Sequence, residues 1–205
     1  MGRRFVEQRR RDPYYRAAQR EHLRSRAAYK LAYLAERFPV FHKGDRVLDL
    51  GAAPGGWSTI ARQCLGTTGE VIAVDPRTIE PIPGVEIVRG TVGDPRLLDR
   101  LGPEKYDVVL SDMSPRISGA YATDHARSVA LARLAASLSS EVLRKHGVLV
   151  AKVFDGDLLD ELENEWAPMF RTVVRTKPPA SREHSSELYL LGLDFQRRRA
   201  PAVGS

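Results

Sequence analysis

Cysteine is nearly absent from this sequence. The single Cys64 excludes an internal disulfide and any zinc cluster built on cysteines. It falls on the expected first helix after the glycine loop, where it reads as a small buried hydrophobe. Long apolar runs are missing as well: no stretch approaches the roughly 18 consecutive apolar residues of a membrane span. The start, MGRRFVEQRRRDPYYR, has no apolar run behind its basic residues, so it does not read as a secretory signal. Glu7 and Asp12 interrupt its arginines and no serine precedes Ser25, which sets it apart from a mitochondrial transit peptide. The expectation is a cytoplasmic chain with no membrane partner. Lysine is scarce too, six of the 32 basic residues, so a lysine in an unusual place is worth explaining.

What remains is 205 residues, 42% of them hydrophobic, enough for one domain with one substantial core. The formal net charge is +6, and its location says more than its size. Residues 1–30 hold ten Lys or Arg against three acids, so the excess sits at one end and the remainder is close to neutral. A nucleic-acid contact would require that; a solvated basic tail would show it too. Tyr14 and Tyr15 lie among these arginines and suit either stacking on an unpaired base or packing of a first helix. The expected organisation is a basic arm over 1–12, one domain over 13–195, and a disordered tail over 196–205.

Along the chain, apolar runs alternate with helical patterns. Helix is expected over Pro13–Phe38, Trp57–Leu65, Ala122–Lys145 and Leu158–Trp166. Strands are expected at Arg46–Leu50, Val71–Val74, Val85–Val88, Asp107–Leu110, Val148–Phe154, Thr172–Arg175 and Leu188–Leu193. This is an α/β chain with a seven-stranded, mostly parallel sheet covered by helices on both faces. The last two strands are joined by KPPASREHSS with no helix, so they should pair antiparallel. Ligands of such sheets sit beyond the carboxyl ends of the strands, where strand order reverses.

Unusual residues cluster at those ends. The first strand runs into Gly51-Ala52-Ala53-Pro54-Gly55-Gly56-Trp57. Small residues admit a ligand close to the backbone, and the following helix offers free N–H groups. The segment lacks the third spaced glycine of a dinucleotide fingerprint and the Gly-Lys-Ser/Thr of a P-loop, which favours a nucleoside cofactor without a pyrophosphate. Asp75, at the end of the second strand, is placed to accept both hydroxyls of a ribose; its alternative is a cap or turn. Four further polar residues need explaining. Lys152 lies inside VLVAKVF, on one face with Val148, Val150 and Phe154, so it should be paired or have a lowered pKa. Asp112 follows the fourth strand, Glu187 opens the last, and Lys30 lies in RSRAAYKL. Each alone has a bland reading; converging, they would balance in charge and could hold a hydroxyl nucleophile and take its proton.

The motifs RSRAAYKL, VLDLGAAPGGWS, SDMSPRISG, VAKVF and SSELYL, in this order, resemble the FtsJ/RrmJ family of RNA ribose 2′-O-methyltransferases, over about Asp12 to Phe195. The resemblance implies a Rossmann-like class I fold with strand order 3-2-1-4-5-7-6 and strand seven antiparallel. It implies S-adenosyl-L-methionine as cofactor, S-adenosyl-L-homocysteine as product, and no metal. It implies a Lys-Asp-Lys-Glu tetrad on Lys30, Asp112, Lys152 and Glu187, with Lys152 central. Cofactor contacts are implied at Gly55, Trp57, Asp75 and Asp112, to which the glycine loop adds Gly51 and Gly56. Where the family usually has an aspartate on the adenine amine, this chain has Thr91, with Asp94 three residues later. A second departure is Arg116, where asparagine is frequent. The length and the RSRA-type start resemble the RlmE-like members, which act on a uridine of large-subunit ribosomal RNA. Members acting on the tRNA anticodon loop remain an alternative, as does a non-catalytic RNA-binding ribosome-assembly factor on the same fold. No protein partner is called for.

Overall fold

The computed structural model describes residues 27–178 and 186–196. In chain order they form α1 (Ala27–Arg37), β1 (Arg46–Leu50), α2 (Gly56–Leu65), β2 (Glu70–Asp75), β3 (Val85–Arg89), α3 (Arg96–Leu101), β4 (Tyr106–Ser111), α4 (Tyr121–Val142), β5 (Leu143–Phe154), α5 (Leu159–Trp166), β6 (Phe170–Thr176) and β7 (Glu187–Phe195). The basic arm with Tyr14 and Tyr15, the first half of the expected 13–38 helix, most of the linker before β7 and the tail beyond Gln196 lie outside the described residues.

The strands form one sheet in the order β3-β2-β1-β4-β5-β7-β6. Pairs β1–β2, β1–β4, β2–β3 and β4–β5 are parallel, while β7 runs antiparallel to both β5 and β6. The central strands are buried almost end to end, as strands covered on both faces must be. Period-two alternation divides them between two cores. Leu48, Leu50, Leu149 and Leu190 pack on one face with Val129 of α4 and Trp166 of α5. Val47, Val148, Val150 and Tyr189 pack on the other with Leu31 and Leu34 of α1 and Trp57 and Ile60 of α2. Lys152 therefore falls, by alternation, on the face that α1 covers.

Three local expectations are corrected. Cys64 is exposed rather than buried, because the stripe of α2 that faces the sheet runs through Trp57, Ile60, Ala61 and Leu65 and passes it by. The long helix ends at Val142 rather than Lys145. Leu143 pairs with Tyr106, and the Arg144 guanidinium donates to both oxygens of Asp107 at 2.9 Å; this pairing outweighs the helix propensity of Leu-Arg-Lys. Helix α3 was not expected, its six residues being too few to show a period.

Because β1 and β4 are neighbours while the chain winds outward from them in opposite directions, their carboxyl ends flank a crevice. Asp75, Asp112 and Lys152 line the cavity there. Among the described residues no helix is long and apolar enough to cross a membrane.

Candidate active site

The glycine loop leaves β1 at Gly51, whose φ is +71°. A Cβ there would lie 2.7 Å from Met113 Cγ and 3.0 Å from the Met113 backbone, so only glycine passes. The Gly51 and Ala52 N–H groups donate to the Val74 carbonyl at 2.9 and 3.2 Å, and the Asp112 N–H donates to the Leu50 carbonyl at 3.2 Å. The ends of β1, β2 and β4 are thus tied together. The Ala53–Pro54 peptide is cis, and Gly55, with φ +105°, caps α2 in a left-handed conformation.

Beside this loop opens a cavity of about 540 Å³, bounded by Gly51, Asp75, Thr91, Asp112, Leu134 and Lys152 among others. Asp75 at the end of β2 and Lys152 on β5 line it three strands apart, and Val74, Met113, Leu131 and Leu134 add apolar wall. Asp75 is 2% exposed. Its Oδ1 accepts from the Arg77 N–H at 2.8 Å and Nε at 3.0 Å. Its Oδ2 accepts from the Ala53 N–H at 3.0 Å and Arg77 Nη2 at 3.1 Å. Burial alone would raise this carboxyl; the bonds from Arg77 and Ala53 outweigh it and hold Asp75 below its ordinary value. All four acceptor positions are therefore in use, which the sequence did not reveal. Thr91 borders the cavity, whereas both oxygens of Asp94 receive the Arg96 guanidinium at 3.1 and 3.0 Å. Of the two, Thr91 is the residue on the wall.

Gly56 and Trp57 line a small crevice behind the cavity, together with Asp49 and Asp112. The Trp57 indole is buried, donates to the Ala27 carbonyl at 2.8 Å and tilts against Tyr189 at 5.6 Å. It pins α1 onto the sheet. Asp49 was not singled out from the sequence. It is fully buried; its Oδ2 accepts from Ser58 Oγ at 2.5 Å, and its Oδ1 has no hydrogen-bond partner among the described residues. Burial, reinforced by the nearby Asp112 and Asp75 charges, pushes its carboxyl up to about 7 against the pull of Ser58. The signal available in the sequence was an acid in the middle of RVLDL.

The four polar residues of the expected tetrad form two ion pairs, of which Lys152–Asp112 lines the cavity. Lys152 Nζ lies 2.9 Å from Asp112 Oδ1 and donates to the Asp112 carbonyl at 2.9 Å. Lys30 Nζ donates to Glu187 Oε2 and lies 5.8 Å from the centre of the Tyr189 ring. Both lysines are buried, at 7% and 6% exposure. Register explains the meeting: Lys152 faces Tyr189 and Phe154 faces Glu187 across the β5–β7 pair. Lys152 and Glu187 are therefore diagonal neighbours on one face, and α1, held there by Trp57, brings Lys30 to them. The arrangement gives a nucleoside-sized cavity with the Lys152–Asp112 pair on its wall and the Lys30–Glu187 pair next to Lys152 across the β5–β7 register.

The comparisons with known proteins fit this geometry. The family model described as FtsJ-like methyltransferase matches residues 23–195. The chain belongs to the FtsJ-like methyltransferase family. The Ribosomal RNA large subunit methyltransferase E of Methanothermobacter thermautotrophicus is 42% identical over 201 residues, covering 96% of this chain and 95% of that protein. The protein of the same name from Archaeoglobus fulgidus is 44% identical over 191 residues, covering 92% and 98%. A Plasmodium falciparum structure described as a ribosomal RNA methyltransferase superimposes with a TM-score of 0.77 at 27% identity, covering 85% of this chain and all of that one. The FtsJ-like fold accounts for the antiparallel β7 between β5 and β6, the strand that delivers Glu187.

Proposed function

We propose that this protein transfers a methyl group from S-adenosyl-L-methionine to a ribose 2′-hydroxyl in large-subunit ribosomal RNA. The observation that carries the chemistry is the Lys152–Asp112 pair on the wall of the cavity that Asp75 also lines. The names of the relatives and the basic first thirty residues support the RNA substrate.

The cavity's residues suit an adenosine-bearing cofactor. Asp75 would hold the ribose hydroxyls, the apolar wall with Leu134 the adenine, with Thr91 at its edge, and the glycine loop the amino-acid end. When bound, the cofactor supplies a methyl group on a positively charged sulfur, poised for in-line attack. The chain's own work is to orient the acceptor and remove its proton. Lys152 offers three positions at nitrogen, of which Asp112 takes two among the described residues. In the reacting form Lys152 is the neutral amine: its two N–H groups serve Asp112, and its lone pair is left for the proton of the 2′-hydroxyl. As the oxygen–carbon bond forms, the hydroxyl proton passes to Lys152 Nζ, whose charge the Asp112 carboxylate balances. Lys30 and Glu187 form the neighbouring wall and hold the ribose by hydrogen bonds. Such alignment accounts for much of the rate that positioning can give.

Asp75 makes one prediction about the cofactor. The ribose hydroxyls must displace the two side-chain bonds from Arg77, which is 68% exposed. Asp75 is buried, but with its guanidinium partner in solvent the pair is screened and contributes on the order of 1 kcal/mol. Arg77→Ala should therefore tighten S-adenosylhomocysteine binding by no more than about fivefold in a calorimetric titration. A tenfold weakening would instead make Arg77 a cofactor contact.

The substrate is tested by methyl transfer from radiolabelled S-adenosylmethionine to intact large ribosomal subunits, free ribosomal RNA and bulk tRNA. Label in ribosomal RNA is the expected result. Label confined to tRNA would overturn the substrate and keep the chemistry. Cofactor binding without label anywhere would favour a non-catalytic assembly factor.

A further inference from the structure

Only four large hydrophobic side chains are exposed among the described residues, and the two most open, Ile117 and Tyr121, are each 61% exposed. Scattered exposed hydrophobes need no explanation, but these two border one cavity of about 310 Å³, together with Asp124, Phe154, Ser186 and Glu187. Glu187 is the partner of Lys30 and a diagonal neighbour of Lys152 across the β5–β7 pair, so this second cavity lies beside the lysine that lines the first.

Tyr121 is held in an uncommon way. An exposed tyrosine normally turns its hydroxyl to water; here the hydroxyl donates to the Asp155 carbonyl at 2.6 Å, tying the polar tip down and leaving the ring open to solvent. The walls on either side are fastened to the first turn of α4. Asp124 Oδ1 accepts from the Ser118 N–H at 2.8 Å and its hydroxyl at 2.7 Å, and Oδ2 from the Gly119 N–H at 3.0 Å. This fixes the loop that carries Ile117. His125 does the same for the segment after β5: Nδ1 donates to the Phe154 carbonyl at 2.9 Å, and Nε2 accepts from the Leu158 N–H at 3.1 Å. An anchored aromatic face between fixed walls costs little ordering on binding.

We infer that this cavity takes the base of the target nucleotide, splayed out of the RNA stack, with Tyr121 as its stacking platform and Ile117 and Phe154 as its apolar edge. The inference rests on the proposed function, because the ribose that bears this base is the one that meets Lys152. The cavity reads the base by its face. Among the polar groups on its wall, the Asp124 and Glu187 carboxylates and the Ser186 carbonyl already accept bonds from the protein, which leaves the ring as the broadest contact. Stacking of this kind tolerates any base.

The test uses a large-subunit RNA fragment that the wild-type protein methylates, and the same fragment abasic at the target position. Tyr121→Ala should raise KM for the normal fragment by about 5- to 150-fold, with the S-adenosylhomocysteine affinity and melting temperature held. Tyr121→Trp should restore KM, and Tyr121→Leu should not. On the abasic fragment, wild type and Tyr121→Ala should become equal. A Tyr121→Ala variant with wild-type KM, rescue by leucine, or additive losses on the abasic fragment would each overturn the subsite. Absence of methyl transfer to any RNA by the wild-type protein would overturn the reading beneath it instead.

Discussion

Lys152→Ala is expected to lower single-turnover methyl transfer by about 10²- to 10⁴-fold, the range that a positioned proton acceptor contributes. The affinity for S-adenosylhomocysteine should stay nearly unchanged. Lys152 lines the large cavity three strands from Asp75, where the proposed function puts the acceptor hydroxyl. It is fixed by two contacts to Asp112, so its nitrogen has a defined direction, and its removal takes away both the orientation of the acceptor and the proton's destination. Lys152→Arg should fail as well, since a guanidinium does not give up its proton and its planar fork does not fit the place of a point charge. The Lys152→Ala variant leaves Asp112 without its ion pair, so its melting temperature belongs beside its rate. A folded variant that binds S-adenosylhomocysteine and transfers methyl at the wild-type rate would remove Lys152 from the chemistry.

Asp49→Asn is expected to change how stability depends on pH. Asp49 is fully buried, and its carboxyl is raised from 3.8 to about 7, first by burial and then by the Asp112 and Asp75 charges, with Ser58 opposing. In that interval the folded protein holds a proton that the unfolded chain has released, so stability falls as pH rises from about 4 to about 7. At 1.36 kcal/mol per pH unit, the loss approaches about 4 kcal/mol. Asparagine keeps the shape and an acceptor for Ser58 and does not ionise. The difference in unfolding free energy between wild type and Asp49→Asn, measured in urea at pH 4 and at pH 8, should therefore shift by about that amount in favour of asparagine at the higher pH. A difference that does not move with pH would mean that Asp49 is ionised in the folded protein across the range. The neutral form also has a use at the site: a third full charge beside Asp75 and Asp112 would oppose both.

The parts of this protein legible in its sequence are those governed by short-range pattern. Runs such as RVLDL and VLVAKVF declare buried strands, and the spacing of Gly51, Gly55 and Gly56 declares a backbone that turns sharply beside a ligand. Lys152 in an apolar strand called for a partner, and Asp112 supplies it. What the sequence does not carry is pairing between side chains brought together only by the fold. Nothing local says that Lys30 takes Glu187, 157 positions away, or that Trp57 spends its indole on α1. The use of Asp75 by Arg77 is hidden for a different reason: the two are close in the chain, but whether a solvated arginine turns back is decided by the loop's shape. Asp49 was hidden by its own motif, since an acid next to a glycine loop suggests ligand contact rather than burial. The end of α4 escaped because Leu-Arg-Lys suits a helix, and only the pairing with β4 turns it into strand.

The central claim is that the acceptor is a ribose hydroxyl held by Lys152. The measurement that tests it most directly is nucleoside analysis of large-subunit RNA methylated by the protein, using alkaline hydrolysis followed by mass spectrometry. A 2′-O-methyl group removes the hydroxyl that attacks the neighbouring phosphate, so the methylated position should survive as an alkali-resistant dinucleotide whose extra mass lies on the sugar. It should be absent when Lys152→Ala is used. A methyl group found on a base, or a sugar methyl that persists in the Lys152→Ala reaction, would contradict the account.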